Sequence, residues 1–126
     1  LGLVQRLGLT RHVSTPGEIS DADLAGLMRL SCAVAVLSTS EGFGLPVLEA
    51  MACGTPAIVP AGGALEEVGG AHAIVVDPTD AGSVAQGIVQ ALDTREGLRT
   101  TLTEQASRFT WGATAQAIEE VWEGLA

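Results

Sequence analysis

Basic and aromatic residues are scarce in this chain. Its 126 residues include no lysine, six arginines and 15 acidic residues, which gives a net charge of −9. Nucleic acids and anionic membrane surfaces are bound by clusters of Lys and Arg, so this composition argues against both as partners. Aromatic residues make up 3% of the chain, so Ala, Val, Leu and Ile have to fill the core.

Cysteines are few and long apolar runs are absent. Cys32 and Cys53 do not form a Cys-x-x-Cys pair, and no histidine lies at ligand spacing from either. We therefore expect two reduced thiols rather than a disulfide or a metal site. No run of 18 apolar residues occurs and no secretory leader is visible, so the expected location is cytoplasmic.

Short apolar runs alternate with helical patterns along the chain. Three of these runs, Ala33–Leu37, Ala57–Val59 and Ala73–Val76, have strand length. Fully apolar strands are typical of a parallel sheet covered by helices on both faces. The alternation predicts an α/β fold with right-handed crossovers. A further short strand is predicted at His12–Thr15.

Capping residues and apolar spacing predict the helices. Ser20, Asp80 and Thr110 are suitable N-caps, and Gly54 suits the end of another helix. The helix after Asp80 is predicted to end near Leu92, and a separate helix covers 96–107. The residues predicted to face inward recur every three or four positions: Leu24, Leu27, Met28 and Cys32; Val84, Ile88, Val89 and Leu92; Leu98, Leu102 and Ala106; Ala113, Ala117, Ile118, Val121 and Trp122.

Two glutamates bracket a glycine-containing turn after the first apolar run. Glu41 precedes Gly42-Phe43-Gly44-Leu45, Pro46 suits the first position of the next helix, and Glu49 lies one turn further on. Amides at the start of a helix attract anions. A second turn, Gly62-Gly63, follows the next strand, and parallel sheets bind ligands beyond the carboxyl ends of their strands. The sequence therefore predicts an anion site at this edge.

This stretch resembles the E-x7-E motif of retaining nucleotide-sugar glycosyltransferases of the two-Rossmann-domain (GT-B) class, in particular glycosyltransferase family 4, the glycosyl transferases group 1. Residues 41–57 follow the family text E-G-F-G-L-P-x-L-E-A-M-A-x-G-x-P-V almost letter for letter. Looser similarity continues through Gly62-Gly63, Glu67-Val68, Val76-Asp77-Pro78 and Phe109-Thr110-Trp111. The similar region extends from about Leu7 to about Val121.

The resemblance implies a domain assignment for residues 1–126. They would form part of the C-terminal, donor-binding domain, with a Rossmann-like parallel sheet. The opening residues, Leu1–Leu9, are typical of the end of a helix. We expect the acceptor-binding N-terminal domain, and the first strands of this domain, to precede Leu1.

The resemblance also implies a role for each residue of the motif. Glu49 would hold the ribose hydroxyls of a nucleoside-diphosphate sugar, and Glu41 would orient the donor sugar and stabilise positive charge that develops on it. The amides of Phe43, Gly44 and Leu45, in a turn that begins at Gly42, would contact the sugar and the diphosphate. A glycosidase-like acid and nucleophile pair is less favoured, because Glu49 would face a ribose. No metal or other cofactor is expected, and the acceptor is unknown.

Simpler structural interpretations stay open beside these roles. Glu49 could be a solvated helix carboxylate, and Gly42 and Gly44 could form an ordinary tight turn. The ring of Phe43 is expected in the core. Glu66, where relatives commonly have proline, and Glu67 are expected on a solvated helix face.

Two alternatives to an active enzyme also stay open. The chain could be a degenerate, non-catalytic module that binds a protein or, weakly, a nucleotide sugar, because it departs from the family pattern at 12–17 and at Glu66. The basic residues that neutralise the diphosphate in relatives would precede Leu1, so we expect the isolated chain to be inactive. An exposed sheet edge would also favour a homodimer of the truncated domain.

Overall fold

Three parallel strands form the centre of the fold. The computed structural model describes residues 2–125, except for the side chains of Arg95 and Glu96. The strands are β1 (Val34–Ala35), β2 (Ala57–Pro60) and β3 (Ile74–Val76), and they lie in the order β1-β2-β3. The parallel α/β, Rossmann-like fold predicted from the alternation of strands and helices is confirmed.

Residues 2–125 include six helices. They are α1 (Gly2–Arg6), α2 (Asp21–Leu30), α3 (Leu45–Ala52), α4 (Ala64–Gly69), α5 (Ala81–Ser107) and α6 (Trp111–Glu123), with a 3-10 turn at Gly70–His72. Of these, α3, α4 and α5 pack against the sheet. The helix expected at the beginning of the chain is present as α1. Within residues 2–125, none of the helices is both long enough and apolar enough to cross a membrane.

The predicted caps are confirmed. The hydroxyl oxygens of Ser20 and Thr110 accept hydrogen bonds from the amides of Asp23 and Ala113, at 3.2 and 3.1 Å. The carboxylate of Asp80 accepts from the amide of Gly82 at 2.8 Å. At the end of α3, the amide of Gly54 donates to the carbonyl of Met51 and the amide of Thr55 to that of Ala50, both at 2.9 Å. This pair of bonds is a Schellman motif, which satisfies carbonyls that the helix leaves unpaired.

Two apolar clusters pack on opposite faces of the sheet. Successive residues of a strand point to opposite faces, so Ala57 and Val59 of β2 lie in one cluster and Ile58 lies in the other. The first cluster joins β2 to α3, α4 and the end of α5: Val47, Met51, Ala57, Val59, Leu65, Val68, Leu102 and Ala106. The second joins β2 and β3 to the first half of α5: Ile58, Ile74, Val76 and Ala91.

Helix α5 differs from the prediction in its length and in its inward face. It is one helix from Ala81 to Ser107, because this stretch contains no proline and Leu98 and Leu102 pack against the first cluster. Its inward face carries Val84, as predicted, but Gly87 and Ala91 in place of the other predicted residues. A Cβ on Gly87 would lie 2.6 Å from Cγ1 of Val76, so the helix lies too close to the sheet for a side chain. Ile88, Val89 and Leu92 are consequently exposed.

Three other predictions are wrong. Residues 12–15 form no strand and are exposed, because their alternation of polar residues with Val13 offers no apolar face to bury. In α2 only Met28 is buried, while Leu27 and Cys32 are exposed. The apolar side of α6 does not join either cluster.

The first apolar run packs on both faces of the sheet, as predicted. Val36 lies against the first cluster, and Ala33 and Leu37 lie against the second. Ala35 of the edge strand β1 is nevertheless exposed.

Candidate functional site

The carboxyl ends of the three strands meet at one edge of the sheet. A cleft of about 410 Å³ lies there, and its lining comes from the segments that follow each strand: Thr39; Pro60, Ala61 and Gly62; Val76, Asp77, Pro78 and Thr79. The turns that contain Gly44 and Gly62 therefore follow adjacent parallel strands, as the sequence predicted. Gly62 lines the cleft, and the Glu41–Leu45 turn continues from the Thr39 side of it.

Gly44 fixes the start of α3. It is the N-cap residue, and its φ of 104° lies in a region that residues other than glycine rarely adopt. A Cβ at this position would lie 2.7 Å from Cδ2 of Leu65, so the backbone also packs too closely for any other residue. The helix begins at Leu45, so Pro46 occupies its second position, one later than predicted.

The turn before α3 presents unpaired backbone donors. The carbonyl of Gly44 accepts from the amide of Val47 at 3.0 Å, which closes the first turn of the helix. Among the hydrogen bonds of the described residues, none uses the amides of Phe43, Gly44 or Leu45 as donors. Three consecutive amides at the positive end of a helix are suited to an anionic ligand.

Glu41 is held by a residue that the sequence did not indicate. The hydroxyl of Ser38 donates a hydrogen bond of 2.6 Å to Oε1 of Glu41. Both residues are exposed. The sequence contained one signal for this contact: a serine just past a strand, three residues before a glutamate. The bond leaves the second carboxylate oxygen available to a ligand.

Glu49 lies on the exposed side of α3. The opposite side of this helix is anchored by Val47, Ala50 and Met51, which are fully buried. Glu49 is exposed, and no hydrogen bond among the described residues joins its side chain to Glu41 or to another residue. This placement is compatible both with a ligand-binding carboxylate and with the solvated one that the sequence left open.

The ring of Phe43 is not in the core, contrary to the prediction. It is 44% exposed and packs edge-on against Phe109, with ring centroids 5.9 Å apart and planes at 81°. Because β1 ends early and the turn projects past the sheet edge, the ring meets the α5–α6 junction instead of either cluster. Phe43 and Phe109 line an apolar groove of about 650 Å³ with Arg108 and one side of α6. Sequence analysis did not place Phe109 or Arg108 near the turn.

Glu66 is not part of a solvated helix face. Its carboxylate accepts a hydrogen bond of 2.5 Å from the amide of Gly62, and the residue is half-buried. This bond satisfies a donor ahead of α4 and secures the turn that lines the cleft. Glu67, in contrast, is exposed as predicted.

Asp77 gives the cleft a firmly ionised carboxylate. Its Oδ1 accepts from the hydroxyl and the amide of Thr79 at 2.7 and 2.8 Å. These two bonds, with the hydroxyl bond the larger cause, hold the pKa of Asp77 below its ordinary value. Within the described part of the chain, no group of three His, Cys, Asp or Glu side chains is placed to hold a metal ion.

A family model matches the part of the chain that contains all these features. The model described as "Glycosyl transferases group 1" matches residues 2–109. The chain belongs to this family. The match includes all three strands and ends at Phe109, so α6 lies beyond the matched residues.

Individual relatives in the glycosyl transferases group 1 family are similar over nearly the whole chain. The D-inositol 3-phosphate glycosyltransferase of Corynebacterium jeikeium is 34% identical over 98% of this chain and 30% of its own length. The O-antigen chain mannosyltransferase B of Escherichia coli is 37% identical over 81% of this chain and 28% of its own. The MMP alpha-(1->4)-mannosyltransferase of Mycolicibacterium hassiacum is 34% identical over 96% and 31%.

A solved structure shows the same GT-B domain architecture. The sucrose-phosphate synthase of Thermosynechococcus elongatus superposes with a TM-score of 0.82 and 33% identity over 98% of this chain. The match covers 33% of that protein. The chain thus spans about a third of the length of the proteins that it resembles.

Proposed function

We propose that this chain is part of the C-terminal, donor-binding domain of a retaining glycosyltransferase of family 4. The whole enzyme would transfer a hexosyl group from a nucleoside-diphosphate sugar to an acceptor, with retention of configuration. Its N-terminal domain, and the first strands of this domain, would precede residue 1. The observation that carries the proposal is the set of unpaired amides at Phe43, Gly44 and Leu45, which two glutamates bracket.

The turn supplies the contacts for the sugar and the diphosphate. The unpaired amides lie at the start of α3, and the partial positive charge of the helix terminus adds to their attraction for an anion. Gly42 has no side chain, and a Cβ added at this position would meet no atom within 4 Å. The entrance to the turn is therefore open space that a ligand could occupy. The phosphates would rest on these amides.

Glu41 acts at the sugar. Its carboxylate is oriented by the hydroxyl of Ser38, so one oxygen is fixed and the other is available to a sugar hydroxyl. In the transition state, positive charge develops on the sugar ring, and a nearby carboxylate stabilises that charge. Because leaving phosphate and incoming hydroxyl occupy one face of the sugar, the donor needs no second carboxylate as a nucleophile.

Glu49 acts at the ribose. A carboxylate accepts hydrogen bonds from two neighbouring hydroxyls at once. Glu49 is exposed on a helix whose opposite side is fully buried, so its backbone is rigid while its carboxylate stays accessible. No metal or other cofactor takes part in this proposal.

Substitution of Glu49 in the full-length protein tests the proposal. The Glu49→Ala variant should raise the donor KM by about 10- to 100-fold, the equivalent of losing about 1.5–3 kcal/mol of hydrogen bonding to a charged group. The Glu41→Gln variant should mainly lower kcat, by about 100-fold or more. The control is Glu104→Ala, which removes an exposed helix carboxylate on α5. UDP-, GDP- and ADP-linked hexoses serve as donors, and NMR of the product shows whether configuration is retained.

The isolated 126-residue chain should bind the donor weakly and be inactive. A diphosphate is usually neutralised by Arg or Lys as well as by amides, and none of the six arginines lies within the Glu41–Glu49 stretch. Isothermal titration of the chain with UDP, GDP and ADP measures this directly. Sub-micromolar affinity would contradict the assignment of the missing cations to another part of the enzyme.

A non-catalytic module is the second candidate function. Glu66 supports it, because its carboxylate accepts the hydrogen bond of the Gly62 amide at the cleft, so that this amide is not available to a ligand. The net charge of −9 also opposes the binding of an anionic ligand. The exposed edge at Ala35 would then serve a partner protein or a second copy of the domain. A protein that fails to hydrolyse or transfer from all three donor classes, yet forms a stable dimer by light scattering, would favour this module.

A further inference from the structure

The ring of Phe109 is the neighbour that orients the side chain of Phe43. The two rings meet edge to face, with centroids 5.9 Å apart and planes at 81°, which is the arrangement that aromatic quadrupoles favour. Phe43 is 44% exposed and Phe109 is 37% exposed, so the pair lies at the surface. The contact therefore joins the turn before α3 to the junction of α5 and α6.

The turn is fixed at one end and needs support at the other. Gly44 packs against Leu65, which is 3% exposed and belongs to the first apolar cluster. At Gly42, by contrast, an added Cβ would meet no atom within 4 Å, so the backbone there packs against nothing on that side. Phe43 lies between these two residues, and its ring is the part of the side chain that meets Phe109.

Phe109 is itself tied to the core. Its amide donates a hydrogen bond of 3.1 Å to the carbonyl of Ala106, which is 7% exposed. Ala106 belongs to the same cluster as Val47 and Met51 of α3. A closed path of contacts thus runs from α3 through the cluster to the end of α5, and back to the turn through the two rings.

We infer that Phe109 is a positioning residue for the donor site: its ring holds Phe43, and thereby sets the direction of the amides of Phe43, Gly44 and Leu45. The part that concerns the donor rests on the proposed function. The part that concerns the conformation of the turn does not. The residue acts through Phe43 and does not touch the ligand itself.

Four single variants and one double variant of the full-length protein test this inference. Phe109→Leu keeps an apolar side chain and removes the edge-to-face contact, while Phe109→Tyr keeps the ring. Trp111→Leu is the matched control, since it removes a larger ring two residues away that is 89% exposed and does not line the groove. Phe43→Leu, alone and combined with Phe109→Leu, completes a double-mutant cycle.

The first measurement needs no ligand. The backbone order parameters of residues 42–45, measured by ¹⁵N NMR relaxation, should fall in Phe109→Leu from the value of a rigid backbone, about 0.85, toward the flexible range below about 0.6. They should keep their wild-type values in Phe109→Tyr and Trp111→Leu. Unchanged order parameters in Phe109→Leu would overturn the inference whether or not the protein binds any donor.

The second measurement separates positioning from general destabilisation. With UDP-, GDP- and ADP-linked hexoses, Phe109→Leu should raise the donor KM by about three- to tenfold and change kcat by less than about twofold. Phe109→Tyr should restore the KM, and the effect should vanish in the Phe43→Leu background. A KM effect that persists in that background would show that Phe109 does not act through Phe43. If the order parameters of residues 42–45 respond as expected and wild type uses none of the donors, the proposed function fails while the positioning role stands.

Discussion

The carboxylate of Glu66 accepts the amide hydrogen of Gly62, four residues earlier, at 2.5 Å. Glu66 is the third residue of α4, and Gly62 lies just before the N-cap Gly63. The side chain thus reaches back over the helix terminus as in a capping box, but to the residue before the N-cap.

Loss of this bond should destabilise the chain measurably. Glu66→Ala is expected to lower the free energy of unfolding by about 1 kcal/mol, and Glu66→Gln by less, since its amide oxygen can still accept. Urea denaturation followed by circular dichroism measures both. Glu67→Ala, next to it and exposed, should change stability by less than about 0.5 kcal/mol. Equal losses at both positions would rule out a specific role for the Gly62 amide.

Gly44 should not tolerate a side chain. Gly44→Ala places a Cβ 2.7 Å from Cδ2 of Leu65 at a residue with φ of 104°. The strain should lower the free energy of unfolding by about 1–3 kcal/mol. Gly42→Ala is the stability control, because its backbone does not have a positive φ and its Cβ would meet no atom within 4 Å. Thermal melts of the two variants should therefore diverge, and coincident melts would contradict this account.

Thr55 should be important because its hydroxyl connects α2 to the rest of the fold. The residue is 2% exposed, and its Oγ1 donates to the carbonyl of Met28 at 2.6 Å. Thr55→Val keeps the shape but removes the donor, and should lower the free energy of unfolding by about 1 kcal/mol. That carbonyl retains a second donor, the amide of Ser31, which limits the loss. Thr114→Val on exposed α6 is the control, and a larger effect there would be unexpected.

Asp77 should make the β3–α5 connection sensitive to acid. Its pKa is lowered in the folded chain, so its contribution to stability is present at neutral pH and is lost as pH falls below about 4, through the folded pKa. NMR titration of the carboxyl carbon should show a midpoint below the ordinary value. Thr79→Ala removes the hydroxyl that is the larger cause, and should move the midpoint upward. If Thr79→Ala leaves the titration midpoint of Asp77 unchanged, the lowered pKa has another cause.

Local chemistry made three helix starts, the end of α3 and the main turn predictable. Ser20, Asp80 and Thr110 cap helices where their side chains suggested, and Gly54 ends α3 in a Schellman motif. Each of these caps depends on a few neighbouring residues, so the local sequence is enough to predict it. The same holds for the α/β alternation, from which the parallel sheet followed.

Contacts between distant segments were harder to predict. Apolar spacing in α5 favoured Ile88 and Leu92 as inward residues, whereas close approach of the helix to the sheet selects Gly87 and Ala91. The contact between Phe43 and Phe109 joins two residues that are 66 positions apart in the sequence, so it depends on the tertiary structure. No local pattern contains that information. The roles of Glu41 and Glu49 came from the family resemblance and remain predictions.

Helix α5 joins the two sides of the sheet. At about 1.5 Å per residue, its 27 residues form a rod about 40 Å long. Ala91 lies in the cluster on one face, and Leu102 lies in the cluster on the other. Because a single helix contributes to both clusters, we expect the loss of packing in one cluster to loosen the other, so that the two unfold together.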